Sequence, residues 1–218
     1  MKFLVFLGTV RDSTPPRPAR LGFRVAKAIL NWAKDNMAEH EFELIDPLDY
    51  KTGEVFKPHF AYAQGKAPEA LSTLAEKIES ADGYVMVSPE YNHSMSPALA
   101  NLLNHFGSSL YSFKPSVIAT YSAGQWGGMR AAVGMRTFLS ELGCLPVSAM
   151  IHVPHAQDAF DEDGAAVSEQ EENWRTYFGR ALSQMLWWAE ATSNHRQEKD
   201  PFETSKAFKA SPTQRNIN

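Results

Sequence analysis

Apolar positions along this chain alternate between two rhythms. The runs 2–9, 83–87, 115–121 and 147–153 are short and almost unbroken in apolar character, the pattern of strands buried on both faces. Residues 41–46 form a fifth strand, in which Phe42 and Leu44 alternate and Pro47 ends the run. Between these runs the apolar residues fall three and four apart, which places them on one face of a helix. Leu21, Val25, Ile29 and Trp32 mark a helix over 22–36, and Leu71, Leu74 and Ile78 one over 69–80. Leu99, Leu102, Leu103 and Phe106 mark a third, opened by Ser96-Pro97 and closed at Gly107. Met135, Phe138, Leu139 and Leu142 mark a fourth over 127–142, ended by Gly143. Trp174, Phe178, Leu182, Met185 and Ala189 mark a last helix over 173–191.

Five strands alternating with five helices imply an α/β fold, a parallel sheet with helices on both faces. Right-handed crossovers leave few topologies. The expected one is a flavodoxin-like three-layer sandwich, a five-stranded parallel sheet in the order 2-1-3-4-5. Its switch point lies between strands one and three, so the ends of strands one, three and four line one crevice. Residues 1–192 form this domain. Residues 193–218 turn polar, with Phe202 and Phe208 as their aromatics, and are expected to form a tail or an arm packed on another subunit. The segment 48–68 is long and irregular for a compact domain, which marks it as functional or packed at an interface.

Composition narrows the function classes. A net charge of −4 opposes broad nucleic-acid binding. The single cysteine, Cys144, excludes an internal disulfide and any CxxC metal site. No apolar run reaches the ~18 residues of a membrane span. The first residues read as a buried strand rather than a leader, because Arg11-Asp12 follow without a small-residue cleavage site. A reduced, cytoplasmic protein is the expectation.

The three least ordinary segments follow strands one, three and four. The first, 8–22, leads from Gly8-Thr9 through Arg11 and Arg20 to a helix N-terminus, whose N–H groups and dipole favour an anion. It contains neither GxGxxG nor GxxxxGK[ST]. The second, 88–97, holds Pro89-Glu90-Tyr91-Asn92: Tyr91 offers a flat face and Asn92 an amide. The third, 121–130, carries Gly124, Gly127 and Gly128, which let the backbone approach a planar ligand. Each segment also has a plainer reading, as a solvated basic loop, a turn rich in turn formers, and a glycine-rich loop.

Taken together they resemble the NADPH-dependent FMN reductase family, which includes quinone, azo-dye and chromate reductases. The matching residues are Gly8-Thr9-x-Arg11, Pro89-Glu90-Tyr91-Asn92 with Ser94 and Pro97, and Ser122-x-Gly124-x-x-Gly127-Gly128. The run from Met135-Arg136 to Pro146-Val147 is also similar, so the resemblance spans roughly 2–153. It implies that Thr9, Arg11, Arg20, Leu21 and Gly22 hold the FMN phosphate. Pro89, Glu90, Tyr91 and Asn92 would meet the isoalloxazine and ribityl parts, and Ser122, Ala123 and Gly124 would approach the ring from the other side. Residues 13–19 look like an insertion, so either Ser13 or Arg20 could take the phosphate contact.

What the resemblance implies is an oxidoreductase passing electrons from NADPH (or NADH) through FMN to a quinone or similar small acceptor, with no residue acting as nucleophile or general base. A homodimer or dimer of dimers is expected with it. Two other readings share the scaffold: a flavodoxin-type FMN electron carrier that does not oxidise NAD(P)H, and a flavin-free binding protein. A metal at His152 and His155 lacks a third ligand. Ser122 does not lie in a GxSxG elbow. His93 is either a substrate contact or a solvent-facing turn residue.

Overall fold

A computed structural model describes residues 1–11, 20–50, 52–53, 55–167 and 170–203. Strands β1 (Lys2–Leu7), β2 (Glu41–Ile45), β3 (Gly83–Tyr91), β4 (Ser94–Met95), β5 (Pro115–Tyr121), β6 (Leu145–Pro146) and β7 (Ile151–Val153) form the sheet. The main path is β2-β1-β3-β5-β6, with β7 also on β5 and β4 on β3. All pairings are parallel except β3 with β4. This is the expected flavodoxin-like order, with the fifth strand split in two.

The split has a local cause. Across 147–150 the backbone turns to side-chain partners: Arg136 donates to the Val147 carbonyl, and Ala149 N–H donates to Gln184 Oε1. Only Val147 N–H still reaches β5, at the Ser116 carbonyl.

Alternate residues of the strands feed two cores. Val5, Val85 and Val117 meet Val25 and Ile29 of α1 (Leu21–Asn36) on one side. Leu4, Phe6, Met86 and Ile118 face α2 (Glu69–Ser80), α3 (Pro97–Asn104), α4 (Ser108–Tyr111) and α5 (Met129–Glu141) on the other. A short α6 (Ala156–Ala159) and α7 (Glu171–Glu198) complete the first side. Ser96 caps α3 as expected, accepting from Leu99 N–H with Pro97 in the first turn. Gly107 does not close α3 in a left-handed conformation; it leads into α4, which the apolar pattern does not foretell.

Two further expectations change. The strand predicted to end at Val87 continues to Tyr91 and turns back into β4. Asn92 and His93 both adopt positive φ, 50° and 62°, the twist that a two-residue hairpin turn demands. The boundary expected at 193 falls inside α7, which runs on to Glu198. Its apolar stripe ends at Ala189, but Arg196 donates to the Phe113 carbonyl and pairs with Asp82 at 3.2 Å. That anchor is ionic and invisible to an apolar period. The insertion residues 13–19, and the tail beyond Glu203, lie outside the described residues. Among the described residues, no helix is long and apolar enough to cross a membrane.

Candidate functional site

The carboxyl ends of β1, β3 and β5 lie side by side. Gly8 N–H donates to the Val87 carbonyl at 2.7 Å, and Pro89 is in register with Tyr121. The three segments singled out in the sequence therefore share one edge of the sheet. A Cβ on Gly8 would meet the Val87 carbonyl at 2.5 Å, so glycine there lets the first two segments touch.

Thr9 is buried and accepts from Arg11 N–H at 3.2 Å. Arg20 precedes α1, and its fork is already engaged. Nη1 and Nη2 pair with the Asp46 carboxylate, and Nη2 also donates to the Thr9 carbonyl. The pair joins the end of β2 to the start of α1. Arg20 Nε is buried and lacks a partner among the described residues. The α1 N-terminus has no side-chain cap; Phe23 and Arg24 N–H donate to the Arg20 carbonyl, which leaves the N–H groups of Leu21 and Gly22 at the open end of the helix. Ser13, the alternative contact to Arg20, lies outside the described residues.

Tyr121 joins the first segment to the third. Its hydroxyl lies under Gly22, where a Cβ would come within 2.4 Å of it and 2.9 Å of Thr9 Cγ2. Burial pushes the phenol well above its ordinary range, while a hydrogen bond with Thr9 and the charges of Arg20 and Arg11 pull the other way. Tyr121 thus holds the floor of the cradle as a neutral group. Tyr121 ends β5, and in the sequence only its neighbourhood to Ser122 marks it.

The Glu90 side chain is engaged at the start of α5. Its carboxylate accepts from Arg130 N–H at 3.1 Å and Ala131 N–H at 3.2 Å, and Arg130 Nη1 stands 3.4 Å away. It caps the N-terminus of α5, where the dipole favours an anion. Tyr91 is 41 % exposed and leaves its ring available, and Asn92 stands at the turn. Trp126 is 51 % exposed and lies against the Arg130 guanidinium at 5.3 Å.

Ser122 is likewise engaged within its own loop. Its hydroxyl donates to the Gly124 carbonyl and accepts from Gly127 N–H. The three glycines differ in what they permit. Gly127 and Gly128 have positive φ and pack against Pro154 and Thr120. A Cβ on Gly124 would meet nothing within 4 Å, so that backbone is open to a ligand. Gln157 supports the loop from α6 by donating to the Ala123 carbonyl.

The structure therefore brings Thr9, Arg11, Arg20, Leu21 and Gly22 together with Pro89–Asn92 and Ser122–Gly124. The Glu90 side chain ties the second segment to α5, Ser122 ties the third segment to itself, and the Arg20 fork ties the start of α1 to Asp46 and Thr9. What remains free to face a ligand is mostly backbone, the Tyr91 ring and the α1 N-terminus.

A sequence model of the NADPH-dependent FMN reductases matches residues 1–158, and the chain belongs to that family. It is 33 % identical to an NADPH azoreductase of a Bacillus species over 92 residues, 41 % of this chain and 52 % of that protein. It is 33 % identical to an NAD(P)H-dependent FMN reductase of Pseudomonas aeruginosa over 113 residues, 50 % of this chain and 60 % of that one. The chain thus spans little more than half the length of these curated relatives. Among solved structures, the flavoenzyme NAD(P)H:(acceptor) oxidoreductase FerB from Paracoccus denitrificans aligns with a TM-score of 0.66 at 21 % identity. That alignment covers 87 % of this chain and 97 % of the other, and the likeness is one of fold.

Proposed function

We propose that this member of the NADPH-dependent FMN reductase family binds FMN at the carboxyl edge of β1, β3 and β5 and oxidises NAD(P)H, passing the electrons to a quinone or similar small acceptor. The observation that carries the reading is the convergence of three segments suited to the three parts of that cofactor. The uncapped N-terminus of α1, with Thr9, Arg11, Leu21, Gly22 and the unpartnered Nε of Arg20, suits a phosphate. The open backbone at Gly124 and the half-exposed Tyr91 ring suit a planar ring system. Residues 122–124 and 89–92 would hold that ring between them, with Asn92 toward its polar edge or the ribityl chain.

Bound FMN supplies hydride acceptance and electron relay. This chain's residues would bind it, orient it and shape the dielectric around it. Glu90 would act by holding α5, and Ser122 by holding the glycine loop. None of the described site residues need serve as nucleophile or general base.

A homodimer or dimer of dimers in the cytoplasm belongs to the same proposal. Val133, Trp187 and Trp188 expose large apolar groups that a second subunit would cover. A monomer by light scattering would refute that part.

The purified protein, loaded with FMN, is mixed anaerobically with NADPH and with NADH, and then with benzoquinone. The reading expects the flavin absorbance to bleach with at least one nicotinamide and to return with the quinone. Bound flavin that stays oxidised with both nucleotides would instead support an electron carrier, and no bound flavin would support a flavin-free protein.

A further inference from the structure

His152 lies directly under the glycine loop and takes part in none of the contacts assigned to FMN. A Cβ on Gly127 would meet His152 Cβ at 3.2 Å. Between ring and loop stands Thr120, fully buried near the end of β5. Its hydroxyl oxygen is 2.8 Å from the Gly127 carbonyl oxygen and 2.8 Å from His152 Nδ1.

A hydroxyl has one proton to give, and a carbonyl oxygen can only accept. The Thr120 proton therefore belongs to Gly127. The Thr120 oxygen then accepts, and the donor is His152 Nδ1–H. In the neutral ring this leaves Nε2 as a lone pair. Burial holds the His152 pKa below the ordinary histidine value, so the ring is neutral at pH 7.

The Gly127 residue is consequently held at both of its backbone polar groups. Its N–H donates to Ser122 Oγ, and its carbonyl accepts from the relay. Gly127 and Gly128 have φ of 59° and 80°, one of several paths open to glycine, so these bonds select the path into α5.

We propose that His152 is a positioning residue for the 122–128 loop, acting through Thr120 as an obligatory Nδ1–H donor and thereby setting the affinity for FMN. Only the last step, affinity for FMN, rests on the function proposed above. The proton's place on the ring does not.

Two experiments test it. Long-range proton–nitrogen NMR on the full chain at pH 7.5 reads which ring nitrogen carries the proton. Nδ1–H is expected for His152, and Nε2–H would overturn the proposal. The second uses His152→Asn, His152→Asp and Thr120→Val. The Asn side chain can still donate from near the Nδ1 position, whereas ionised Asp can only accept and draws the Thr120 proton away from Gly127. FMN Kd should stay within about twofold in H152N and rise about fivefold in H152D and T120V, the loss of one net hydrogen bond. Hydrogen exchange of 122–128 without flavin should quicken in H152D and T120V and not in H152N. A merely steric role would make Asn and Asp alike, so equal exchange in the two would overturn the proposal. If the wild-type chain binds no FMN, the functional reading fails while the exchange and NMR results still decide this one.

Discussion

Replacing Glu90 by alanine separates a flavin contact from a helix clamp. The carboxylate satisfies two N–H groups at the start of α5 and faces the positive end of its dipole. Capping of this kind contributes about 1 kcal/mol. The favourable charge–dipole interaction adds roughly 0.3–1 kcal/mol. The pair with Arg130 adds little, because the arginine side chain is 44 % exposed and solvent screens it. Glu90→Ala should therefore cost about 1.3–2 kcal/mol in the flavin-free protein. For a chain of this size each kcal/mol shifts Tm by ~2–4 °C, so a fall of about 3–8 °C is expected. Glu90→Gln keeps one acceptor oxygen, and should lose about half as much or less. The assay is calorimetry or circular-dichroism melting of protein stripped of flavin. An E90A variant that melts with the wild type when stripped, and differs only when FMN is added, would refute the clamp and restore Glu90 as a ligand contact.

Gly124→Val tests the opposite case. Open space above Gly124 means the stripped protein should keep its Tm within about 1 °C, while FMN Kd should rise at least about tenfold; unchanged FMN affinity would remove this loop from the pocket. Gly22→Ala drives a methyl against the Tyr121 hydroxyl and should lower Tm by several degrees, about 1–3 kcal/mol of overpacking. Adding Tyr121→Phe removes the nearest atom and should recover part of that loss, and a strictly additive double mutant would place the clash elsewhere. His105 and His152 are both held below the ordinary histidine pKa, for each chiefly by burial. Below about pH 6.5 the unfolded chain then binds protons that the folded chain does not, so stability is lost as pH falls. Urea unfolding at pH 7.5 and pH 5 should show a smaller drop for His152→Asn than for wild type, and an identical drop would contradict the assignment.

Much of this architecture was legible because a parallel sheet writes itself in continuous apolar runs. Strands at 2–7, 83–87 and 115–121, and helix 69–80, follow directly from residues that bury on both faces or on one stripe. The departures lie where polar groups take over from apolar burial. Arg196 extends α7 through an ion pair, and Arg136 with Gln184 breaks the fifth strand. Asn92 and His93 form a hairpin turn in left-handed geometry, a possibility that Asn signals and His does not.

At the site the sequence located the segments better than the jobs of their side chains. Glu90 and Ser122 stand out as polar groups at strand ends and Arg20 as a charged donor before α1, and all three side chains are engaged by partners within the protein. Their partners, Ala131 N–H, Gly127 N–H and Asp46, lie in a helix, across a turn and just past another strand. A linear pattern of residue types carries no sign of such pairings. Tyr121 and Thr120 carry no such sign either, and His152 stands out in the sequence only as half of a metal pair, because their contacts depend on which loop lies above them.

The central claim is that the three loops form one FMN pocket. The most direct measurement is a fluorescence titration of FMN with the purified, flavin-stripped chain. A saturable change that ends at one FMN per chain, and that inorganic phosphate weakens by competing for the α1 N-terminus, is the predicted result. FMN fluorescence that is unaffected by excess protein would contradict the account.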